Sequence, residues 1–457
     1  MRSLFQKQLP LVPIAIAHAH TQEFQQMDAV LGQLLDIVKL IHADLMRRAG
    51  KPVDPTKGRD GMTAEQVLRA ILVKQMNGFS YEDLAFHLGD SSTYRAFCRL
   101  GIDERPLSKS TLQKNIKRVS AKTWEAINRR LVLYANTMKV ETGRKVRTDC
   151  TVVESNIHDP TDSSLLRDCM RVLVRLMGEA EQEYGLPFIN HNRRAKRRAM
   201  GILNAKSSEQ RLPLYRDLLH VTETTVRMAE RIANEVDART GNGQSEAAST
   251  SALARELRHY IGLSHRVISQ TKRRVLEGEA VPASEKVVSI FEPHTDILVK
   301  DRRETLYGHK ICLTGGVSGL ITDVVVERGN PADATLAVTM IQRQCDLYGK
   351  PPRQSSMDGG FTSKANLEAI KKLGVEDVAF SKHGSLPITD MVKSSWVFRR
   401  LRNFRAGIEG TISFLKRGFG LDRCTWSGFE SFKAYVFASV LTCNLLVVAR
   451  NLLAASG

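Results

Sequence analysis

The segment FRAGIEGTISFLKRGFG, residues 404–420, gathers several chemistry-bearing residues on one helix. Arg405 precedes Glu409 by four positions, and Lys416 follows Glu409 by two turns, so the three share a face. Ile408, Ile412, Leu415 and Phe419 recur at steps of four, three and four, which makes a buried stripe. A surface ladder of salt bridges would give the same spacing. Gly407 and Gly410 flank Glu409, however, and each glycine weakens a helix by about 1 kcal/mol relative to Ala. Small residues there would let a metal or a DNA strand come close. Two more acids stand at strand positions. Asp149 lies inside RKVRTDCTVVES, whose β-branched residues Val146, Thr148, Thr151, Val152 and Val153 read as a strand. Asp358 lies in RQSSMDGGF, where a strand end turns into a glycine loop. On charge alone Glu154, Asp159, Asp162, Asp323 and Asp333 are equal candidates.

These acids need a scaffold to bring them together. Residues 22–48 read as one helix, 51–61 as a Pro/Gly-rich loop and 64–76 as a second helix. Gly78 breaks that helix, and Ser80 with Asp83 forms an approximate capping box for the next, which Gly89 ends. Ser91 or Ser92, Ser110 and Ser120 open three more. This run resembles a helix-turn-helix unit, with Lys109, Lys114, Lys117 and Arg118 as basic positions. After the strand at 144–155 comes a polar helical stretch, 163–284, interrupted by a Gly/Ser loop at 241–252. Strands are expected at 286–293, 309–317 and 319–329, a helix at 332–347, a strand ending at Asp358, a strand at 375–381, and helices from about 404. Such an order favours an α/β layer with a mixed sheet.

Composition narrows the class. The 457 residues include 67 Lys and Arg against 49 Asp and Glu, a formal net charge of +18, so a polyanion is the expected partner. Arg193, Arg194, Lys196, Arg197 and Arg198 form the densest basic cluster and are expected to grip DNA phosphates. The seven cysteines are odd in number and show no CxxC spacing, which argues against a disulfide framework or a zinc ribbon and points to a reducing compartment. His18, His20, His158, His191, His294 and His309 show no HExxH-like spacing, and no GxxxxGK[ST] loop is present, so neither zinc nor a nucleotide cofactor is expected. Two prolines interrupt the apolar start, and no signal peptide is expected. Ala434 to Ala449 is apolar but shorter than the roughly 20 residues of a membrane span, so a buried helix is expected and no membrane partner.

Arg405, Glu409 and Lys416 also match three of the four positions of the Tyr–Arg–Glu–Lys signature of bacterial insertion-sequence DDE transposases; Arg402 stands at the tyrosine position. The segment TDCTVVESNIHDPTDSSLL resembles that family's first-aspartate block, SSMDGGFTSKAN its second, and LYGHKICLTGG with VVERGNPAD its middle hairpin. The chain is thus similar to the branch with a helical insertion after the first catalytic strand, over about residues 60–457. The resemblance implies a ribonuclease-H-like mixed-sheet catalytic core at 141–162 and 285–457. It implies a basic helical insertion at 163–284, and an all-α N-terminal DNA-binding region at 1–140 that reads the element's ends. Asp149, Asp358 and Glu409 would be the catalytic metal ligands for Mg²⁺, with Mn²⁺ able to substitute, and Arg405 and Lys416 would hold DNA. The implied partners are double-stranded DNA, both element ends and target, and further copies of the chain, in the cytoplasm on the nucleoid. The competing readings are a non-catalytic regulator derived from a transposase, or a nuclease of the same core without strand transfer.

Overall fold

A computed structural model describes residues 4, 18–47, 61–101, 103–241, 251–300, 304–381, 384 and 386–456. Most of the loops expected at 51–61 and 241–252 lie outside the described residues. The chain divides into two compact units, one of residues 1–156 and 309–457, the other of 157–308.

Among the described residues seven helices open the first unit: α1 (Ala19–Gly32), α2 (Asp36–Met46), α3 (Ala64–Asn77), α4 (Tyr81–Asp90), α5 (Ser92–Phe97), α6 (Lys109–Ile116) and α7 (Ala121–Thr137). Where one helix was expected over 22–48 there are two. Between them Gln33, Leu34 and Ile37 donate to carbonyls three residues back, a tight turn that keeps the apolar residues on the core side, so periodicity gave no sign of the break. Hydroxyl caps set the other starts. Thr63 and Gln66 make a reciprocal capping box, as do Ser80 and Asp83, and Ser91 and Ser120 cap α5 and α7. Ser108, not Ser110, caps α6, its Oγ accepting from Thr111 N at 3.2 Å.

The sheet of this unit follows. Its strands are β1 (Lys145–Ser155), the part of β3 (Glu304–Gly315) from His309 on, β4 (Ile321–Val326), β5 (Gln354–Met357), β6 (Asp377–Phe380) and β7 (Arg423–Cys424). The order is β4-β3-β1-β5-β6, with β7 beside the end of β1. β3 and β4 are antiparallel, and β1, β5 and β6 are parallel, so the sheet is mixed, as expected of a ribonuclease-H-like core. Successive residues of β3 show the two-residue period. Ile311 and Leu313 join the core formed with the N-terminal helices, and Cys312 joins a second core with α12 (Asp333–Tyr348), α13 (Lys364–Lys372) and the start of α15 (Ser395–Phe419). Short α14 (Ile388–Met391) precedes α15, which begins at a Ser394 cap and not near 404. α16 (Phe429–Ser456) is long and apolar enough to cross a membrane, but 72% of its apolar window is buried in this unit, against α1, α3, α7 and α15.

The second unit holds α8 (Asp162–Tyr184), α9 (Asn192–Asn204), α10 (Ser208–Gly241) and α11 (Ala252–Thr271), packed around their own apolar core. The strand expected at 286–293 does not form. Gln270 donates to Val287 O and accepts from Val287 N, and Ser289 Oγ accepts from the N–H groups of Phe291 and Glu292. Side chains thus satisfy the backbone there, although Val287, Val288 and Ile290 are buried as a strand would bury them. The strand instead is β2 (Asp296–Lys300), antiparallel to residues 304–308, so β3 starts earlier than 309.

Candidate active site

Parallel pairing brings the first two acids together. Thr148 of β1 is in register with Met357 of β5, and Asp149 and Asp358 are the next residues on each strand. Thr148 is anchored by its hydroxyl, 3.1 Å from that of Thr314 on β3. Asp149 Oδ1 accepts from Cys150 N at 2.9 Å, and Asp358 Oδ1 accepts from Ser381 Oγ, just past β6, at 2.7 Å. Ile408 and Leu415 bury α15 in the core, which turns Glu409 outward.

The three carboxylates meet at Arg405. Its Nη1 donates to Asp149 Oδ2 at 3.1 Å and lies 3.4 Å from Asp358 Oδ1, while Nη2 donates to Glu409 Oε1 at 2.5 Å. One guanidinium therefore holds three acids from three elements, two of them distant in sequence. Asp149 is the most enclosed. Burial raises its pKa to about 6; the Arg405 charge and the Cys150 N–H pull it back, and the charges of Asp358 and Glu409 push it further up. Among the described residues no three acid, His or Cys groups are close enough to enclose an ion as they stand. The acids fan around the guanidinium, with Asp149 and Asp358 sharing one of its nitrogens.

Gly407 does not make room for a ligand. A Cβ there would lie 2.0 Å from Nη1 of Arg147, a β1 residue only 8% exposed that donates to Phe404 O at 3.0 Å and stacks on the Phe404 ring. Arg147 bolts α15 to the strand that carries Asp149. Nothing in the sequence marked it beyond a cation between two strand residues, Val146 and Thr148. Gly410, by contrast, faces open space.

Lys416 does not reach the acids; its Nζ lies 3.7 Å from Asp422. Arg402 is exposed. Of the other acids, Glu154 pairs with Arg423, Asp162 with Arg274, Asp323 with Arg343 and Asp333 with Lys310, and Asp159 is exposed. In the second unit the basic cluster forms α9, where Arg194 and Arg198 both grip Asp217 of α10, and Arg193, Lys196 and Arg197 are exposed.

Residues 300–445 match the transposase DDE domain family, and residues 20–118 match a transposase domain, DUF772. The chain belongs to the insertion-sequence DDE transposases. The DDE match takes in Asp358, Arg405, Glu409 and Lys416 of the transposase, and the second match takes in α1 to α6. β1 with Asp149 and nearly all of the second unit fall outside both. Neither a curated protein nor a solved structure matched the chain.

Proposed function

We propose that this transposase binds the ends of its element, cleaves them by metal-dependent phosphoryl transfer and joins the freed 3′-hydroxyls to target DNA. The convergence of Asp149, Asp358 and Glu409 on one cation supports it most directly. Three carboxylates so close repel one another unless a positive charge lies among them. Carboxylate oxygens are the hard donors that Mg²⁺ takes, and Mn²⁺ accepts the same set. The acids would hold the metal once Arg405 withdraws, and the set fits in donor type and in convergence. When bound, the metal supplies Lewis acidity at the scissile phosphate.

The chain's own residues do the rest. Asp149, within β1, and Asp358, just past the end of the adjacent parallel β5, form the rigid side of the site. Glu409 closes it from α15, whose seat on β1 is set by Arg147. Arg405, released from the acids, has a planar fork suited to two oxygens of a phosphate. Joining exchanges one phosphodiester for another, so no nucleotide is consumed. An element has two ends, and a pair of chains would give each end its own site. Lys416 and α9 would bind DNA backbone, and α3 to α6 would read the end sequence.

The test is Mg²⁺-dependent nicking and joining of labelled duplex carrying the element's ends. Nicks at the ends and joined products are expected. Nicking without joining would leave a nuclease, and DNA binding without either would leave a regulator.

A further inference from the structure

A cavity of about 520 Å³ opens in the first unit between α3, α4 and α6 on one side and the end of α15 on the other. Its walls come from both matched family segments, 20–118 and 300–445. Lys74 and Tyr81 line it together with Lys109, Lys117 and Arg423. Lys74 is only 4% exposed and, among the described residues, has no carboxylate partner; its Nζ lies 5.1 Å from the Tyr81 ring centroid and 3.4 Å from Gln75 Oε1. The Tyr81 hydroxyl is buried, and among the described residues it meets no hydrogen-bond partner. Two carboxylates also line the cavity. Glu82 is spent on Lys109 at 3.0 Å, and Asp422 lies 3.7 Å from Lys416.

A buried cation and a buried hydroxyl without adequate partners are costly in a folded core unless something fills the space between them. Burial pulls the Lys74 pKa down to about 8, with Lys117 adding a smaller repulsion and Cys424 a smaller opposing pull. A compact anion would relieve both groups, accepting from Lys74 Nζ and from the Tyr81 hydroxyl, with Lys117 at hand. Lys109 is held by Glu82 and Arg423 by Glu154, so the surplus positive charge at the cavity is that of Lys74 and Lys117, which would draw an anion.

We propose that this cavity seats a backbone phosphate of the DNA strand that reacts at the acid site. This rests on the reading of the chain as a DNA-cleaving transposase. Phe419, which lines the cavity, lies ten residues beyond Glu409 on α15, roughly 15 Å along the helix axis. That separation is a few nucleotides of one strand. The α15 helix would thus be held to one strand at two points, by Arg405 and the metal that Glu409 would help hold at the reacting phosphate, and by this cavity nearby. The N-terminal helices would share the second hold.

The test uses the full chain with duplex DNA carrying the element's ends, in Ca²⁺. Lys74 is labelled with acetic anhydride near pH 8 and read by mass spectrometry, while anisotropy over a salt series gives the binding slope. DNA should protect Lys74 several-fold, inorganic phosphate should protect it at higher concentration, and K74M and K117Q should each lower the salt slope by about one unit. Should K74M not fold, K117Q and the labelling of the unaltered protein decide. Tight duplex binding with Lys74 unprotected and unchanged slopes overturns the cavity and leaves the transposase reading standing. Protection by phosphate but not by DNA also overturns it, leaving a small-anion site. Absence of any duplex binding sinks both.

Discussion

The transposase holds two charge clusters built on opposite plans. At the acid site one guanidinium, Arg405, is shared by three carboxylates, from the interior of one strand, the end of its neighbour and a helix. On α9 one carboxylate, Asp217, is shared by two guanidiniums from a single helix, and three more cations stand exposed. The first leaves unbalanced negative charge beside the sheet, with Asp149 enclosed and Asp358 and Glu409 exposed; the second leaves unbalanced positive charge on a surface. A surplus of carboxylate in a cleft calls for a cation, and a surplus of guanidinium on a face calls for an anion. The two also differ in what assembles them. The acid site needs the whole sheet in register, whereas the α9 cluster needs little more than a helix and its neighbour. Damage should therefore be severe and local at the first, mild and distributed at the second.

The largest expected effect comes from Asp149→Ala, Asp358→Ala or Glu409→Ala. Each should cut Mg²⁺-dependent nicking by roughly a thousandfold or more while duplex binding in Ca²⁺ persists, and a double variant should be little worse than a single one. Near wild-type cleavage by any of the three would break the comparison at its root.

A second effect probes what seats the acid helix. Gly407→Ala drives a Cβ into Arg147 and should destabilise the fold by about 1–3 kcal/mol, whereas Gly410→Ala, in open space, should be neutral or stabilising by up to about 1 kcal/mol. Thermal melts of the pair decide it; equal melting temperatures would deny Arg147 its bolting role. Third, Arg405→Ala leaves three carboxylates facing one another. The metal-free protein should lose about 1–2 kcal/mol, kept small because Asp358 and Glu409 are well exposed, and Mg²⁺ should raise its melting temperature more than it raises that of the parent. A parent-like response to Mg²⁺ would mean that Arg405 does not stand where a cation binds. The smallest effect lies on α9. Arg193→Gln, Lys196→Gln and Arg197→Gln should each lower the salt slope of DNA binding by about one unit with little change in melting temperature. Arg194→Gln and Arg198→Gln should do less, because Asp217 already holds both. Equal slopes for all five would erase the distinction between paired and exposed cations.

The setting of each acid was legible because it is local in sequence: an acid within a β-branched run, an acid before a glycine turn, and Arg405 with Glu409 at one helical step, although the family resemblance, not these patterns, set the three apart from Glu154, Asp159, Asp162, Asp323 and Asp333. The mixed sheet was legible from the order of strands and helices for the same reason. Arg147 was not, because its role depends on a helix more than 250 residues away, and a lone cation in a strand has no pattern. Gly407 was read as room for a ligand because sequence shows the missing side chain and not the neighbour that fills its place. The segment 286–293 looked like a strand because burial of Val287, Val288 and Ile290 is what the apolar pattern encodes. Whether a strand or the Gln270 side chain pairs their backbone is not encoded there. The break between α1 and α2 stayed hidden since a tight turn preserved the phase of the apolar residues.

The apolar α16 is clothed by α1, α3 and α7, helices that leave the ribosome hundreds of residues before it. Until α16 emerges, the nascent N-terminal helices have no partner for the faces that cover it. The early chain is therefore a natural client for chaperones. A product that stops short of residue 429 would keep those faces bare, and proteases and aggregation would remove it. α16 thus acts as a check on translation, since only a chain that extends through it can close this core.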